Sequence, residues 1–242
     1  MKLLIITGTS KGLGLELARH ALKAGYTVLG ASRSASVLQN EENYHHLQLD
    51  LEKAEDRSTL MPAAVGLVSL QSLEAVYLVN NAALLEPLKA VERCSLTDVQ
   101  AHLAVNLTAP IDLCAQFIKA FAWFQGEKKI LNISSGSAIH PMPDMSLYCT
   151  TKAGLTMFSQ CVALEQESVA WGVGVASLNP GMVETGMQVT ARAQPESQFR
   201  PAVKFKSAKD IGRVKEAPAT ALKVLGLLET APFKGQMLSI EG

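Results

Sequence analysis

The sequence predicts one α/β domain on a doubly wound parallel sheet of seven strands, in the order 3-2-1-4-5-6-7, with helices on both faces. Three observations predict it. Short β-rich runs alternate along the chain with longer segments of helical period. A glycine-rich turn, "TGTSKGLG", follows the first strand directly. No repeat, low-complexity tract or linker divides the 242 residues, and one α/β unit often reaches that length.

The elements follow in order. "KLLIIT" (2–7) is the first strand, and "GLGLELARHALKAG" (12–25) carries apolar residues at helical spacing, with Gly25 as its stop. Strands are expected at 26–32, 45–51, 75–81, 128–135, 172–180 and 236–240. Helical stretches fall between them, around 52–71, 95–125, 146–170 and 208–229. Right-handed crossovers then wind the sheet on both sides. The stretch at about 181–207 has no clear periodicity, so it is expected to be a lid or binding loop of the single domain 1–242.

Bulk properties exclude several classes. Acidic and basic residues balance at 22 each, so no broad attraction to nucleic acid or to an anionic membrane follows. Cys94, Cys114, Cys149 and Cys161 form no CxxC pair and read as reduced thiols of a cytoplasmic protein. The opening "MKLLIITG" is a strand rather than a signal peptide, and no apolar run is long enough to cross a bilayer. The five histidines show no metal-ligand spacing, so no metal site is expected. His140, beside the fifth strand, is the one nearest to the substrate end.

The glycine turn places Gly8, Gly12 and Gly14 between strand and helix, with Ser10, Lys11 and Leu13 among them. Glycines there let backbone N–H groups approach a pyrophosphate at a helix N-terminus. The spacing is GxxxGxG rather than GxGxxG, and such a turn can also merely close a βα unit. The second strand ends in Ser32, Arg33 and Ser34, where an NAD site usually carries Asp or Glu. Arginine can hold a 2′-phosphate by paired, charge-assisted bonds, and Lys11 could add a second charge, which favours NADP(H) over two solvated surface cations. Asp50, beside Leu51, could accept from an adenine amino group or cap the next helix. Asn80, Asn81 and Ala82 end the fourth strand and could line the cofactor, although asparagine is also a common turn residue.

The stretch "NISSGSAIHPMPDMSLYCTTKAG" carries the chemistry. Tyr148 and Lys152, four apart in a helix, lie on one face about 6 Å apart along its axis. An ammonium near a phenol is expected to lower the tyrosine pKa from its reference of about 10 and ready it for proton transfer. Ser135 ends the preceding strand and could donate to a carbonyl oxygen that gains charge as hydride arrives.

With these residues in place the chain resembles the short-chain dehydrogenase/reductase family over nearly its whole length. "TGTSKGLG", "NNA", "NISS", "YCTTK" and "NPGMVET" match in the family's order. The resemblance implies a Rossmann fold and selects Ser135 over Ser134, because the family's serine stands thirteen positions before its tyrosine. It implies that Asn106 of "VNLTAP" supports a water relay to the lysine, and Pro110 would bend that helix. It also implies that Asn179, Pro180 and Gly181 cover a nicotinamide, with Val183 and Thr185 on its carboxamide. Within the family the motifs are most similar to the sepiapterin-reductase-like branch, which includes bacterial reductases of benzil. Animal members of that branch anchor a pterin through an acidic residue near the chain end, where this chain has only Glu241.

The expected activity is therefore NADPH-dependent reduction of a ketone, one carbonyl of a vicinal dicarbonyl, with Met142 and Met187 against the substrate and Met145 and Met182 nearby. An oxidative alcohol dehydrogenase and a non-catalytic NADP sensor are the alternatives. The family resemblance implies a homodimer or homotetramer through the helices at 95–125 and 146–170. Cys149 is expected to pack, and Arg192, Arg200, Lys204, Lys206 and Lys209 are expected to form a solvated loop face.

Overall fold

Along β1 (Lys2–Thr7) side chains point alternately to two faces, so Leu4 and Ile6 enter one core and Leu3 and Ile5 the other. Burial on both faces is what a central parallel strand requires, and it explains the unbroken apolar run. The computed structural model describes residues 1–68 and 72–240. Parallel pairing joins β1 to β2 (Thr27–Ser32) and β2 to β3 (Tyr44–Gln48). On the other side of β1 lie β4 (Ala75–Asn80), β5 (Glu127–Ile133), β6 (Gly174–Asn179) and β7 (Lys234–Ser239), all parallel. The order is β3-β2-β1-β4-β5-β6-β7, as predicted. It reverses between β1 and β4, and a ligand crevice forms beyond the strand ends at such a switch point.

Helices cover both faces. On one, α1 (Gly12–Lys23) packs with α9 (Ala217–Thr230), burying Leu17 and Ala21 against Val224 and Leu228. On the other lie α2 (Ala54–Arg57), α3 (Leu60–Gly66), α4 (Leu96–Leu103), α5 (Ala109–Ala120) and α6 (Ser146–Glu167). Leu113, Phe117 and Val162 fill the core beneath them. Among the described residues no helix is long and apolar enough to cross a membrane.

Two expectations change. The stretch at 181–207 is largely helical: α7 (Gly186–Ala193) is followed by α8 (Ala202–Asp210). Both are short, of eight and nine residues, and apart from Phe205 their buried residues are alanines, Ala191, Ala202 and Ala208. The helix at 95–125 is not simply bent by Pro110. A widened π turn at Ala104–Thr108 joins α4 to α5, and proline in the first turn of α5 has no N–H to return to the preceding turn. Residues 69–71 of the expected helix at 52–71, and Glu241 at the chain end, lie outside the described residues.

Candidate active site

The strand ends open into a cleft of about 1070 Å³. At one end it is lined by Gly8, Ser10, Lys11, Gly12 and Leu13, followed by Arg33, Ser34, Asp50 and Leu51. Asn81 and Ala82 line its floor, and Pro180, Gly181, Val183 and Thr185 line the opposite wall. Gly14 does not line the cleft. A Cβ there would overlap the Gly8 carbonyl oxygen and the Asn81 side-chain nitrogen, so its role is to let helix and turn close on each other. Asn80 is a correction as well. It is buried, its amide donates to Asn132 Oδ1 at 2.8 Å, and it does not reach the cleft. Its neighbour Asn81 binds the end of β1, donating from its side chain to the Thr7 carbonyl at 2.9 Å.

These residues fit a dinucleotide. No side chain caps the N-terminus of α1, so its first amides remain available to an anion. Among the described residues neither Lys11 nor Arg33 enters an ion pair. The Asp50 carboxylate accepts from the Glu52 N–H at 3.1 Å, so it caps the following turn while still lining the cleft.

Sequence reasoning missed a support for this end. Tyr44 on β3 passes over Gly30 of β2, where a Cβ would overlap its hydroxyl, and donates to Thr9 Oγ1 at 2.9 Å. Glycine inside the strand "TVLGAS" was the available signal, since it marks a close approach.

At the other end stand Ser135, Tyr148 and Lys152. Ser134 is spent internally. Its hydroxyl bonds with Thr156 Oγ1 at 2.7 Å and with the Lys152 carbonyl at 3.3 Å, which leaves Ser135 for the cleft. Lys152 is buried, its Nζ donates to the Ile133 carbonyl at 2.7 Å, and burial lowers its pKa to about 8. Its Nζ lies 5.7 Å from the centroid of the Tyr148 ring. The expected depression of the tyrosine pKa is absent. Burial pushes the Tyr148 phenol up to about 12, with the Ser135 hydroxyl pulling it down and the Cys149 thiol raising it. The lysine Nζ is spent on the Ile133 carbonyl, and at a pKa of about 8 it still carries its charge at neutral pH.

Asn106 is buried in the π turn and does not line the cleft. Its Oδ1 accepts from the Leu84 N–H at 2.7 Å and its Nδ2 donates to the Leu84 carbonyl at 2.8 Å. Leu84 and Leu85 in turn form part of the cleft wall.

A cover lies over the catalytic end. Phe199, Ala202 and Phe205 pack with Leu85, Leu88 and Met145, and Tyr148, Cys149, Met142 and Met182 rest against this cluster. Met142 and Met187 both line the cleft, as does His140. The expected loop cations are mostly solvated, and three of them also act as clasps. Arg200 donates to the buried Asp144 carboxylate through Nε and Nη2, each at 2.9 Å, and through its backbone N–H at 3.0 Å. Arg192 and Lys209 both bind Glu184. Lys206 pairs with Glu196, and Lys204 lines the cleft.

A doubly wound sheet with an open anion cradle, and a serine, tyrosine and lysine gathered at the strand ends, define a nicotinamide-dependent oxidoreductase. The chain belongs to the short-chain dehydrogenase family, whose sequence model, short chain dehydrogenase, matches residues 2–196. It is 34% identical over 241 residues to a benzil reductase, (S)-benzoin forming, of Bacillus subtilis, covering 100% of this chain and 99% of that one. It is 32% identical over 247 residues to the sepiapterin reductase of Mus musculus, covering 95% and 92%. A solved short-chain dehydrogenase/reductase of Saccharomyces cerevisiae has the same fold, with a TM-score of 0.87 at 21% identity and coverage of 100% and 97%.

Proposed function

We propose that this protein is an NADPH-dependent reductase of one carbonyl of a vicinal dicarbonyl that carries an aromatic or bulky apolar group. One observation carries the reading: Ser135 and Tyr148 share a cleft with Met142, Met145, Met182 and Met187. Two hydroxyls at one end can orient one oxygen while flexible thioethers hold a flat apolar remainder. Similarity to a benzil reductase supports the substrate class. Lys11, Arg33 and Ser34 at the other end of the cleft support a 2′-phosphate and therefore NADP(H).

When bound, the nicotinamide supplies the hydride. Ser135 donates a hydrogen bond to the substrate oxygen and Tyr148 delivers the proton to it. With burial raising its pKa, Tyr148 is the protonated phenol at neutral pH, the form that can donate. Lys152 bonds to the Ile133 carbonyl at the end of β5, just before Ser135. Exposed Leu103, Ile111, Met157 and Leu164 on α4, α5 and α6 support a homo-oligomeric enzyme assembled through these helices.

The test compares kcat/KM with NADPH for benzil, 1-phenyl-1,2-propanedione, sepiapterin and a mono-ketone of similar size. Both aromatic diketones should lead. A mono-ketone that equals or beats them removes the dicarbonyl claim, and no turnover of any carbonyl removes the reductase.

A further inference from the structure

His102, on the last turn of α4, is almost entirely buried, and both its ring nitrogens are engaged. Nε2 lies 2.7 Å from the Glu86 carbonyl oxygen, which can only accept, so Nε2 carries the proton. Nδ1 lies 3.2 Å from Asn106 Nδ2, which can only donate, so Nδ1 is bare. The two contacts therefore fix one tautomer without further assumption. The two protons of Asn106 Nδ2 face the Leu84 carbonyl and His102 Nδ1; Thr151 Oγ1, at 3.4 Å, shares one of them in a three-centre contact, and the Thr151 hydroxyl donates to the Tyr148 carbonyl at 3.0 Å. A chain of bonds thus runs from Glu86 through His102, Asn106 and Thr151 to the backbone of Tyr148. A branch at Asn106 pins both polar groups of the Leu84 backbone.

We propose that His102, as the neutral Nε2–H tautomer, is a positioning residue that locks the Asn106 amide and so ties the cleft wall at Leu84 and Leu85 to the turn that carries Tyr148. A proton added at Nδ1 would set N–H against N–H across the Asn106 contact. The amide would then have to rotate, exchanging its donor and acceptor ends and losing both bonds to Leu84. The charged groups around the imidazole are few. Asp98, on its own helix, favours the cation but is paired with Lys89 at 2.9 Å. Lys152, on α6, opposes the cation, and the segment at Glu86 meets the ring through its carbonyl. Burial also holds the imidazole pKa below its ordinary 6.5, so the lock is closed at neutral pH and opens on acidification.

The effect on turnover rests on the reductase reading, whereas the bonding pattern does not. The experiment therefore has two arms on the full-length chain. Imidazole 15N–1H correlation spectra of 15N-histidine-labelled protein identify the His102 signal by its loss in His102→Gln. At pH 7.5 the signal should report a neutral ring protonated at Nε2, titrating only below 6.5. The cation or the Nδ1–H tautomer at pH 7.5 overturns the proposal. In the second arm, benzil reduction is followed against pH. Wild-type kcat should fall along the same acid limb with little change in KM. His102→Gln, which keeps one donor and one acceptor, should retain most of the turnover at pH 7.5 and flatten that limb. His102→Phe should lose up to about 10²-fold in kcat at every pH, the scale of a catalytic group misplaced by about 1 Å. An acid limb unchanged in His102→Gln overturns the positioning role. Wild-type protein inactive on every carbonyl overturns the reductase reading instead, and the spectra then decide the lock.

Discussion

Gly14, in the first turn of α1, lies against the main-chain carbonyl of Gly8 with no room for a methyl group between them. The contact keeps the uncapped helix end beside the turn. In Gly14→Ala the added carbon meets backbone and the Asn81 amide together, so neither side can yield cheaply. Overpacking of this kind costs about 1–3 kcal/mol. We expect a lower Tm by calorimetry and loss of NADPH binding by fluorescence titration. Wild-type affinity in Gly14→Ala would show that the turn does not cradle the cofactor.

Tyr148→Phe removes the proton donor while leaving the ring in place. Turnover of diketone should fall by about 10² or more, the scale of general acid catalysis, with NADPH affinity unchanged. Near-normal kcat in this variant would eliminate Tyr148 as the acid.

Lys152 couples pH to stability. Its folded pKa, about 8, lies below the 10.5 of the unfolded chain, so the folded state binds fewer protons between these values. Stability contributed by this group is present in full above 10.5 and is lost as pH falls through 8. Lys152→Met has no such dependence. The Tm of wild type relative to Lys152→Met should therefore rise as pH increases from about 8 toward 10.5. A difference that stays constant over this range would mean that the amine is not desolvated in the fold.

Arg33→Ala should raise the NADPH dissociation constant by about one to two decades, because a hydrogen bond to a charged group contributes roughly 1.5–3 kcal/mol. The NADH constant should change far less. Equal losses for both cofactors, measured by titration of intrinsic fluorescence, would show that Arg33 does not read the 2′-phosphate.

The sheet was legible because buried parallel strands leave continuous apolar runs, and β1 and β4 are such runs. Gly8, Tyr148 and Lys152 were legible because turn and helix geometry restrict which residues can serve there. The cover was not, since α7 and α8 are helices of only eight and nine residues that bury mostly alanine. The clasps of Asp144 with Arg200 and of Glu184 with Arg192 and Lys209 were hidden for another reason. Asp144 and Arg200 stand 56 residues apart, and no local pattern pairs an exposed arginine with a buried carboxylate. The tyrosine pKa was misjudged because spacing shows that a lysine is near but not how deeply both groups are buried. Asn80 and Asn81 are adjacent in sequence, and the strand's alternation sends one inward and the other to the cleft.

The Asn179 side-chain oxygen accepts two backbone protons at once, from Gly136 and from Gly181, each at 3.0 Å. One belongs to the turn after Ser135, the other to the segment ahead of Val183. A single oxygen thereby rivets the two rims that face the reacting atoms, and neither can retreat without stripping a partner from the other. On the opposite flank α7 and α8 are held differently, by the packing of Phe199 and Phe205 on Leu85, Leu88 and Met145 and by the pairing of Arg200 with buried Asp144. Ser135 is thus aligned by polar bonds on one flank, while Tyr148 rests against apolar side chains of the cover on the other, so the two hydroxyls of one site answer to different forces.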